Sequence, residues 1–280
     1  MVRSTFEHDI VAEENRRLQS DVAQLTARVK AFEASRWWRL NPRFALRRLR
    51  SLFVPTHSTK QRDASRAGES STSANELLIA RFRTEVMARG NFAYDTTRSF
   101  PPMERVLKEL EGRSSRILEI GSLHGLSACF FLWRLPDAQV TCIDTFAGGH
   151  QDVVFGLDVS GLEAVFDRNV AAVDASRVRK LVGDSRRVLL DLVGAQEEFN
   201  FVYIDGSHLA LDVLVDASLS WQLLAPGGTA VFDDYQWGML GTDPLFRPGP
   251  AIDAFLSLVA GQCEVLLKQG QVIARKVRTN

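Results

Sequence analysis

Acidic residues and one histidine follow two apolar segments in the second half of the chain. Asp205 ends the first segment, His208 lies three residues later, and Asp233 and Asp234 end the second segment. Carboxylate oxygens are ligands for hard divalent cations, and a neutral imidazole can accept a proton near neutral pH. Clustered carboxylates without a cation would repel one another and raise a pKa. These residue types predict a divalent-cation site with an adjacent general base.

The two apolar segments are typical of strands that are buried on both faces of a parallel sheet. They are Phe199–Ile204 and Thr229–Phe232, and a helical pattern between them is closed by Pro226-Gly227-Gly228. A βαβ unit of this kind brings the carboxyl ends of both strands to one edge of the sheet, where ligands bind in open α/β folds. We therefore expect the three carboxylates and the histidine to converge.

A glycine-containing turn predicts a second ligand-binding element. Ile117–Ile120 is predicted to be a buried strand, residues 121–125 a tight loop, and the following apolar segment a helix. Such a turn presents backbone N–H groups to an anionic or polar ligand. Its spacing is G-x-x-x-G, unlike the G-x-G-x-x-G of dinucleotide enzymes. The next strand, Gln139–Ile143, ends at Asp144, which is suitably placed to accept both hydroxyls of a ribose.

The remaining pattern completes a doubly wound sheet. A third strand, Val178–Val182, leads to Gly183-Asp184-Ser185 and a helix; Asp184 can accept from an exocyclic amine or cap that helix. A later helix, residues 250–259, precedes a hairpin formed by residues 263–268 and 272–277. The fold class is predicted to be α/β, with a mostly parallel sheet of seven strands and an antiparallel edge.

Two motif sets resemble those of a known family. ILEIGSLHGLS is similar to the first motif, E-x-G-x-x-x-G, of class I S-adenosylmethionine-dependent methyltransferases, and CIDTF is similar to the second. YIDGSH followed by LLAPGGTAVFDDY resembles the metal-dependent group that contains macrocin- and mycinamicin-type sugar O-methyltransferases. The resemblance extends over about residues 85–280 and implies a Rossmann-like methyltransferase fold.

The resemblance also implies roles for individual residues. The methionine part of S-adenosylmethionine would lie near Glu119, Gly121, Ser122 and Gly125, the ribose near Asp144, and the adenine near Asp184 and Ser185. Asp205, Asp233 and Asp234 would hold Mg²⁺ or another divalent cation, with His208 as general base beside Asp205. Which of Asp233 and Asp234 is the ligand stays open at this point, as do the roles of His124 and His150.

The expected activity is O-methylation of a saccharide in a glycolipid, a polysaccharide or a glycosylated metabolite. A sugar hydroxyl is favoured over a catechol because catechol-type enzymes usually carry D-N, and not D-D, at the second acidic site. One alternative is a small phenolic or macrolide-like acceptor. Another is a non-catalytic scaffold protein with a retained cofactor fold, against which the complete acidic set and His208 argue.

The first 62 residues differ in charge from the rest of the chain. They contain 13 Lys/Arg and 6 Asp/Glu, a balance of +7, whereas the remainder has a balance of −7. Val11, Leu18, Leu25 and Phe32 recur at intervals of seven, and Asn15 lies at an a position, which can fix a two-stranded register. This pattern predicts a homodimeric coiled coil; the alternative is an amphipathic helix packed on its own domain.

The segment 36–53 combines arginines with Trp37, Trp38, Phe44 and Phe53. A basic helix with aromatic residues favours peripheral contact with an anionic membrane. Nucleic acid is not expected, because no base-reading or groove-fitting feature is present; packing against the body is the remaining alternative. Residues 55–76 are rich in Ser, Thr and charge, which predicts a flexible linker between an arm, residues 1–54, and a methyltransferase domain, residues 77–280.

The compartment is predicted from cysteine usage and hydropathy. The three cysteines lie in apolar surroundings, which favours reduced core thiols in a cytoplasmic protein, with the inner face of the cell membrane as the site of any peripheral contact. No apolar run approaches the roughly 18 residues of a membrane span, and the N-terminus has no apolar region typical of a signal peptide.

Overall fold

A computed structural model of this chain describes residues 65–149, 156–238 and 243–277. The predicted arm, residues 55–64 of the predicted linker, and His150 lie outside these residues. Among the helices of the described ranges, none combines the length and the apolar character needed to cross a bilayer.

The first described helix is longer than the sequence predicts. Helix α1 spans Ser65–Glu85, so residues 65–76 of the predicted flexible linker are helical. The reason is local: this segment contains Ala and Glu, which favour helix, and no proline that would interrupt it. The apolar residues Ile79 and Phe82 near its end are buried, which attaches the helix to the domain. The linker prediction is therefore wrong for residues 65–76.

Seven strands form one mixed sheet in the described part of the chain. They are β1 (Arg116–Ile120), β2 (Gln139–Asp144), β3 (Val178–Val182), β4 (Phe199–Ile204), β5 (Leu224–Phe232), β6 (Cys263–Lys268) and β7 (Val272–Lys276). Their order is β3-β2-β1-β4-β5-β7-β6. The strands from β3 to β5 are parallel, whereas β7 is antiparallel to both of its neighbours. This confirms the predicted doubly wound sheet with an antiparallel edge.

Helices cover both faces of the sheet. After α1 these are α2 (Glu104–Leu110), α3 (Leu126–Arg134), α4 (Leu162–Ala171), α5 (Ser185–Gly194), α6 (Ala210–Leu223) and α7 (Pro248–Leu258). Single 3₁₀ turns lie at Met87–Arg89, Thr97–Ser99, Pro101–Met103, Ala175–Arg177, Pro244–Phe246 and Ala260–Gln262. Helices α1 to α4 pack in one core on one face, and α5 to α7 pack in a second core on the other.

Alternation along strand β4 shows how one strand serves both cores. Phe201 and Tyr203 belong to the core beneath α1 to α4, whereas Val202 and Ile204 belong to the core beneath α5 to α7. Because successive side chains of a strand point to opposite faces, an uninterrupted apolar sequence is required at such a central position. Asp205 is the first residue after this run, so its polarity marks the end of the strand.

Strand β5 differs in length from the prediction. It begins at Leu224, directly after α6, and includes Pro226-Gly227-Gly228, which was expected to separate helix from strand. The pairing with β4 shifts register between Phe199 and Phe201, so these residues form an irregular start before the regular ladder. A bulge accommodates Pro and Gly within a strand. The carboxyl end of β5 at Phe232 is as predicted.

Candidate functional site

The residues that follow three neighbouring strands are aligned by backbone hydrogen bonds. Gly121, Asp205 and Asp233 each donate their N–H to a carbonyl at the end of the neighbouring strand, at 2.9, 2.9 and 3.0 Å. The ladder of the parallel sheet thus continues one residue beyond β1, β4 and β5. For Asp205 and Asp233 this agrees with the predicted βαβ unit, in which the carboxyl ends of both strands share one edge of the sheet.

The loop after β1 approaches the end of β4 so closely that only glycine fits. Gly121 has a φ of +87°, and a Cβ there would lie 2.2 Å from the carbonyl oxygen of Asp205. Gly125 has a φ of +78° at the start of α3, where a Cβ would lie 2.9 Å from the ring of Phe166. These two contacts explain why the G-x-x-x-G spacing occurs here.

Asp144 fixes the shape of this loop from the neighbouring strand. Its Oδ2 accepts from the backbone N–H of Leu123 at 2.8 Å, and its Oδ1 accepts from the N–H of Phe146 at 2.7 Å. Leu123 and Phe146 both have positive φ, at 45° and 52°. A carboxylate offers about four acceptor positions, so Asp144 retains capacity for a ligand hydroxyl in the cleft that it lines.

Glu119 lies behind the loop and not on its ligand-facing side. It is fully buried, its Oε2 accepts from the Ser122 hydroxyl at 2.5 Å, and burial raises its pKa. Gly125 also lies behind the cleft wall, whereas Gly121 and Ser122 line it. In this structure Glu119 and Gly125 support the loop, and their contact with the methionine part of a cofactor stays a prediction. Strand alternation points Glu119 into the core.

At the far end of the cleft, Asp184 and Ser185 lie beside further acidic residues. The Asp184 carboxylate pairs with Arg186 at 3.1 Å, which lowers its pKa, and makes no capping hydrogen bond to α5. The Ser185 hydroxyl donates to Oδ1 of Asp216 at 2.7 Å. Asp216 is 2% exposed, and its burial raises its pKa to about 7. Asp184, Ser185 and Asp216 all line the cleft.

Asp205, His208 and Asp234 form a cluster at the carboxyl ends of β4 and β5. One ligand atom from each lies within 4.8 Å of the others. Burial, followed by the nearby charges of Asp233 and Asp234, raises the pKa of Asp205 well above its usual range. His208 Nε2 lies 2.7 Å from Oδ2 of Asp234. The left-handed backbone of Asp234, with a φ of +57°, allows consecutive aspartates to adopt different orientations.

Asp233 is not a member of this cluster. Its Oδ2 accepts from the Tyr203 hydroxyl at 2.6 Å, and its Oδ1 accepts from Nε2 of Gln271 at 2.9 Å and from the Asp234 N–H at 3.0 Å. Desolvation and the charge of Asp234 raise its pKa, and the hydrogen bonds oppose this shift. Of the two consecutive aspartates, the geometry therefore brings Asp234, and not Asp233, together with Asp205 and His208.

An aromatic residue covers His208. The indole of Trp237 stacks on the imidazole with a centroid distance of 4.2 Å and an interplanar angle of 8°. Nδ1 of His208 is buried and has no hydrogen-bond partner among the described residues. Nε2 is thus the ring nitrogen that faces the acidic cluster, and the stacked indole fixes the plane in which it lies.

These groups share one cleft of about 840 Å³. Residues 92–96 and Arg98 form a wall opposite the sheet edge, and His124 and Trp237 also line the cleft. Asn169 connects this wall to the loop after β1, because its side chain bonds to backbone atoms of Asn91, at 2.8 and 2.9 Å, and to the carbonyl of His124 at 2.7 Å.

Sequence reasoning assigned no role to several of these residues. They are Asn169, Arg186, Tyr203, Asp216, Trp237 and Gln271. Tyr203 and Asp216 carried a usable signal, since Tyr203 lies two residues before Asp205 and Asp216 interrupts the apolar face of a helix. Gln271 carried none, because it contacts a residue 38 positions away in the chain.

Comparisons with known proteins agree with this fold. Residues 118–235 match the sequence profile of a family described as a methyltransferase domain. No curated protein sequence matches the chain. The chain is similar in fold to the MycE methyltransferase from the mycinamycin biosynthetic pathway in complex with Mg and SAH, with 18% identity and a TM-score of 0.50 over 73% of this chain and 55% of that one. It thus spans just over half the length of MycE.

A second similar structure is the O-methyltransferase from Bacillus cereus in complex with SAH. It has 15% identity and a TM-score of 0.50 over 82% of this chain and 96% of that one. The segment that matches the family profile extends from β1 to the residue after Asp234, so it includes the five parallel strands, the glycine-containing loop and the acidic cluster. The central part of this chain therefore matches a methyltransferase domain in sequence, and its fold is similar to that of these two solved methyltransferases.

Proposed function

We propose that this protein transfers a methyl group from S-adenosylmethionine to a hydroxyl oxygen, with a divalent cation bound by Asp205 and Asp234. The observation that carries the proposal is the convergence of Asp205, Asp234 and His208 in one cleft of a methyltransferase domain, with ligand atoms within 4.8 Å of one another. This arrangement offers charge, oxygen ligands and a proton acceptor beside the expected methyl donor.

The donor set of this cluster fits a hard cation. Burial, followed by repulsion from the two further carboxylates nearby, raises the pKa of Asp205. A bound dication would relieve that repulsion and favour the ionised form. The available oxygen atoms suit Mg²⁺, Mn²⁺ or Ca²⁺ better than softer metals. Mg²⁺ is the cation that we propose, and the same fold in MycE holds Mg.

The loop after β1 fits the methyl donor. Glycine at position 121 lets this loop pack directly against the end of β4, and Gly121, Ser122, Asp144, Asp184 and Ser185 line the cleft. We propose that Gly121 and Ser122 contact the methionine part, Asp144 the ribose, and Asp184 with Ser185 the adenine. When bound, S-adenosylmethionine supplies an electrophilic methyl group on a sulfonium centre.

The chemistry requires a deprotonated acceptor oxygen in line with that methyl group. A bound cation lowers the pKa of a coordinated hydroxyl. We propose that His208 accepts the proton at Nε2, because an oxygen-preferring cation leaves the imidazole available as a base. Nε2 can accept that proton only in the ring form that does not donate to Asp234 Oδ2, which lies 2.7 Å away, and the stacked Trp237 holds the plane of the ring.

The proposed acceptor is a saccharide hydroxyl. This rests on the resemblance of YIDGSH and the D-D pair to the sugar O-methyltransferase group. A phenolic or macrolide-like acceptor is the second candidate. The non-catalytic scaffold is disfavoured because a fold retained for binding alone has no use for three carboxylates and an imidazole at one edge.

We also propose that residues 11–32 pair two chains and that residues 36–53 contact an anionic membrane from the cytoplasmic side. The support is the heptad spacing and the basic, aromatic composition of these segments. The acidic body, with a balance of −7, is not itself suited to an anionic surface.

The first prediction tests the activity. In an assay against a panel of nucleotide sugars, glycans and phenols, we expect methyl transfer to the saccharides. EDTA should abolish this transfer. Asp205→Asn and Asp234→Asn should abolish cation-dependent turnover while retaining S-adenosylhomocysteine affinity in calorimetry. His208→Ala should lower kcat by about 10²–10⁴-fold with cation binding retained.

Asp191→Asn, an exposed change on α5, is the matched control and should behave as wild type. Full turnover by metal-free protein would refute the cation requirement. Preference for a phenol would favour the second candidate, and loss of cation binding in His208→Ala would identify the imidazole as a ligand and not a base.

A further inference from the structure

Asp233 occupies an environment unlike that of the adjacent Asp234. Three donors satisfy its carboxylate: the Tyr203 hydroxyl at 2.6 Å, the Gln271 amide at 2.9 Å and the Asp234 N–H at 3.0 Å. Asp234 instead lies in the cleft beside His208, and its side chain is 34% exposed. Asp233 therefore has neither the position nor the free oxygen atoms of the clustered carboxylates.

Tyr203 connects Asp233 to the cluster. Its hydroxyl lies 2.6 Å from Oδ2 of Asp233 and 3.3 Å from Oδ2 of Asp205. The side chain is buried, and its hydroxyl donates the shorter of these two hydrogen bonds. One hydroxyl proton can serve one acceptor fully, and the shorter distance assigns it to Asp233. Oδ2 of Asp205 lies beside the same oxygen atom, so the position of the Tyr203 hydroxyl limits where the Asp205 carboxylate can lie.

Gln271 reaches Asp233 because of the antiparallel hairpin. It directly precedes β7, and the first residue of β7, Val272, pairs with Phe232, the last residue of β5. Residues Gln271 and Asp233 therefore extend the two paired strands at the same end. Gln271 is 4% exposed, and its Oε1 is buried without a hydrogen-bond partner among the described residues. Burying an amide with an unmet acceptor costs free energy, so a purely structural position would favour an apolar side chain.

We infer that Gln271 is a positioning residue for the cation site, which acts through Asp233 and Tyr203 on Asp205 and Asp234. This inference rests on the proposed cation-dependent function. The Gln271 amide donates to the Asp233 carboxylate and so limits its movement. That carboxylate accepts from the Tyr203 hydroxyl, which lies beside Asp205. It also accepts from the Asp234 N–H, which stabilises the left-handed backbone that places Asp234 in the cleft.

The second prediction tests this inference by direct measurement of Mg²⁺ and Mn²⁺ binding to the full chain. Gln271→Leu, which removes the donor at similar volume, should weaken cation affinity by about 10–100-fold in calorimetry, the usual scale when a group that orients a ligand is lost. The affinity for S-adenosylhomocysteine should change by less than about twofold. Gln269→Leu is the matched control, because it lies in the same turn with an exposed side chain, and it should leave cation affinity unchanged.

A double-mutant cycle with Asp233→Asn separates positioning from general stability. If Gln271 acts through Asp233, the double variant should bind the cation no more weakly than the weaker single variant, since the two effects do not add. Tyr203→Phe removes only the hydroxyl, and it should also weaken cation affinity by about 10–100-fold. This variant tests the inference if Gln271→Leu does not fold.

Wild-type cation affinity in folded Gln271→Leu, or additive losses in the cycle, would overturn the inference. Cation binding by the wild type without any methyl transfer would refute the proposed function and leave the inference standing. A wild type that binds no divalent cation would overturn both.

Discussion

At the scale of single residues, Asp216 is an acidic residue that is buried in the fold. It lies within helix α6, 2% exposed, with Asp184, Asp212 and Arg186 as the charged groups around it. Its only hydrogen bond within the described residues comes from Ser185 at 2.7 Å. Burial dominates, and it raises the pKa to about 7.

This environment gives a third prediction, on pH and stability. The folded chain keeps Asp216 protonated between its ordinary pKa of 3.8 and about 7, where the unfolded chain has lost the proton. The folded state binds more protons in this window, so its stability falls as the pH rises through it. Asp216→Asn should remove this dependence and raise the free energy of unfolding at pH 8 by about 3–4 kcal/mol relative to wild type.

Urea unfolding of both proteins at pH 5 and pH 8 measures this effect. Asp191→Asn, exposed on the neighbouring helix α5, is the control for the loss of one carboxylate. If the difference between wild type and Asp216→Asn is the same at both pH values, Asp216 is ionised in the folded chain and the argument from burial is wrong.

At the scale of elements, the glycine-containing loop determines how closely β1 and β4 meet. Gly121 and Gly112 both have positive φ, +87° and +66°, but only Gly121 faces backbone atoms within 4 Å. Alanine at either position would have to adopt a left-handed backbone conformation, which is unfavourable for a residue with a Cβ. At Gly121 the added Cβ would also overlap the Asp205 carbonyl, which is backbone and cannot rotate away.

The fourth prediction follows from this contrast. Gly112→Ala should lower the free energy of unfolding by about 1–2 kcal/mol, the cost of a left-handed backbone conformation. Gly121→Ala should lower it by more than about 3 kcal/mol and weaken S-adenosylhomocysteine binding, since the loop and Asp205 must separate. Denaturant titration and calorimetry measure both effects. Equal losses at the two positions would mean that the loop moves without cost.

The elements also show which features a sequence can predict. Strands β3 and β4 have the predicted bounds, because β-branched and aromatic runs that end in acid or glycine are unambiguous. Residues 65–76 were predicted to belong to a linker but lie in helix α1, since Ser-rich composition favours linkers but does not exclude helix. For the site, position along the strands predicted that Asp205 and Asp233, which follow β4 and β5, would lie at one edge of the sheet.

The remaining part of the site depends on contacts that strand position does not encode. The different orientations of Asp233 and Asp234 arise from a positive φ at Asp234 and from Gln271 on a hairpin 38 residues away. The displacement of Glu119 behind its loop could be predicted from strand alternation, because Glu119 follows Leu118 on the face opposite to it. The family motif predicts that Glu119 contacts the cofactor, and within the described residues Glu119 accepts a hydrogen bond from Ser122 in the loop.

At the scale of the whole molecule, the charge asymmetry gives the fifth prediction. If residues 11–32 pair two chains, two basic segments bind a surface together, and each Lys/Arg near an anionic surface contributes about 1 kcal/mol. The full chain should float with anionic vesicles and not with neutral ones. Leu18→Pro should halve the mass in light scattering and strongly reduce flotation. Unchanged flotation by a monomeric Leu18→Pro chain would contradict the role of pairing.

The strand order has a consequence for how the chain acquires its function. The two strands at the centre of the sheet, β1 and β4, are far apart in sequence: the Arg116 N–H bonds to the Asn200 side chain, 84 residues later. Pairing between such distant segments costs loop-closure entropy before any contact compensates for it, and it slows folding. Gly121 and Asp205 meet only when this pairing is complete. We therefore expect that a refolding chain can bind the proposed methyl donor no earlier than it completes this long-range pairing.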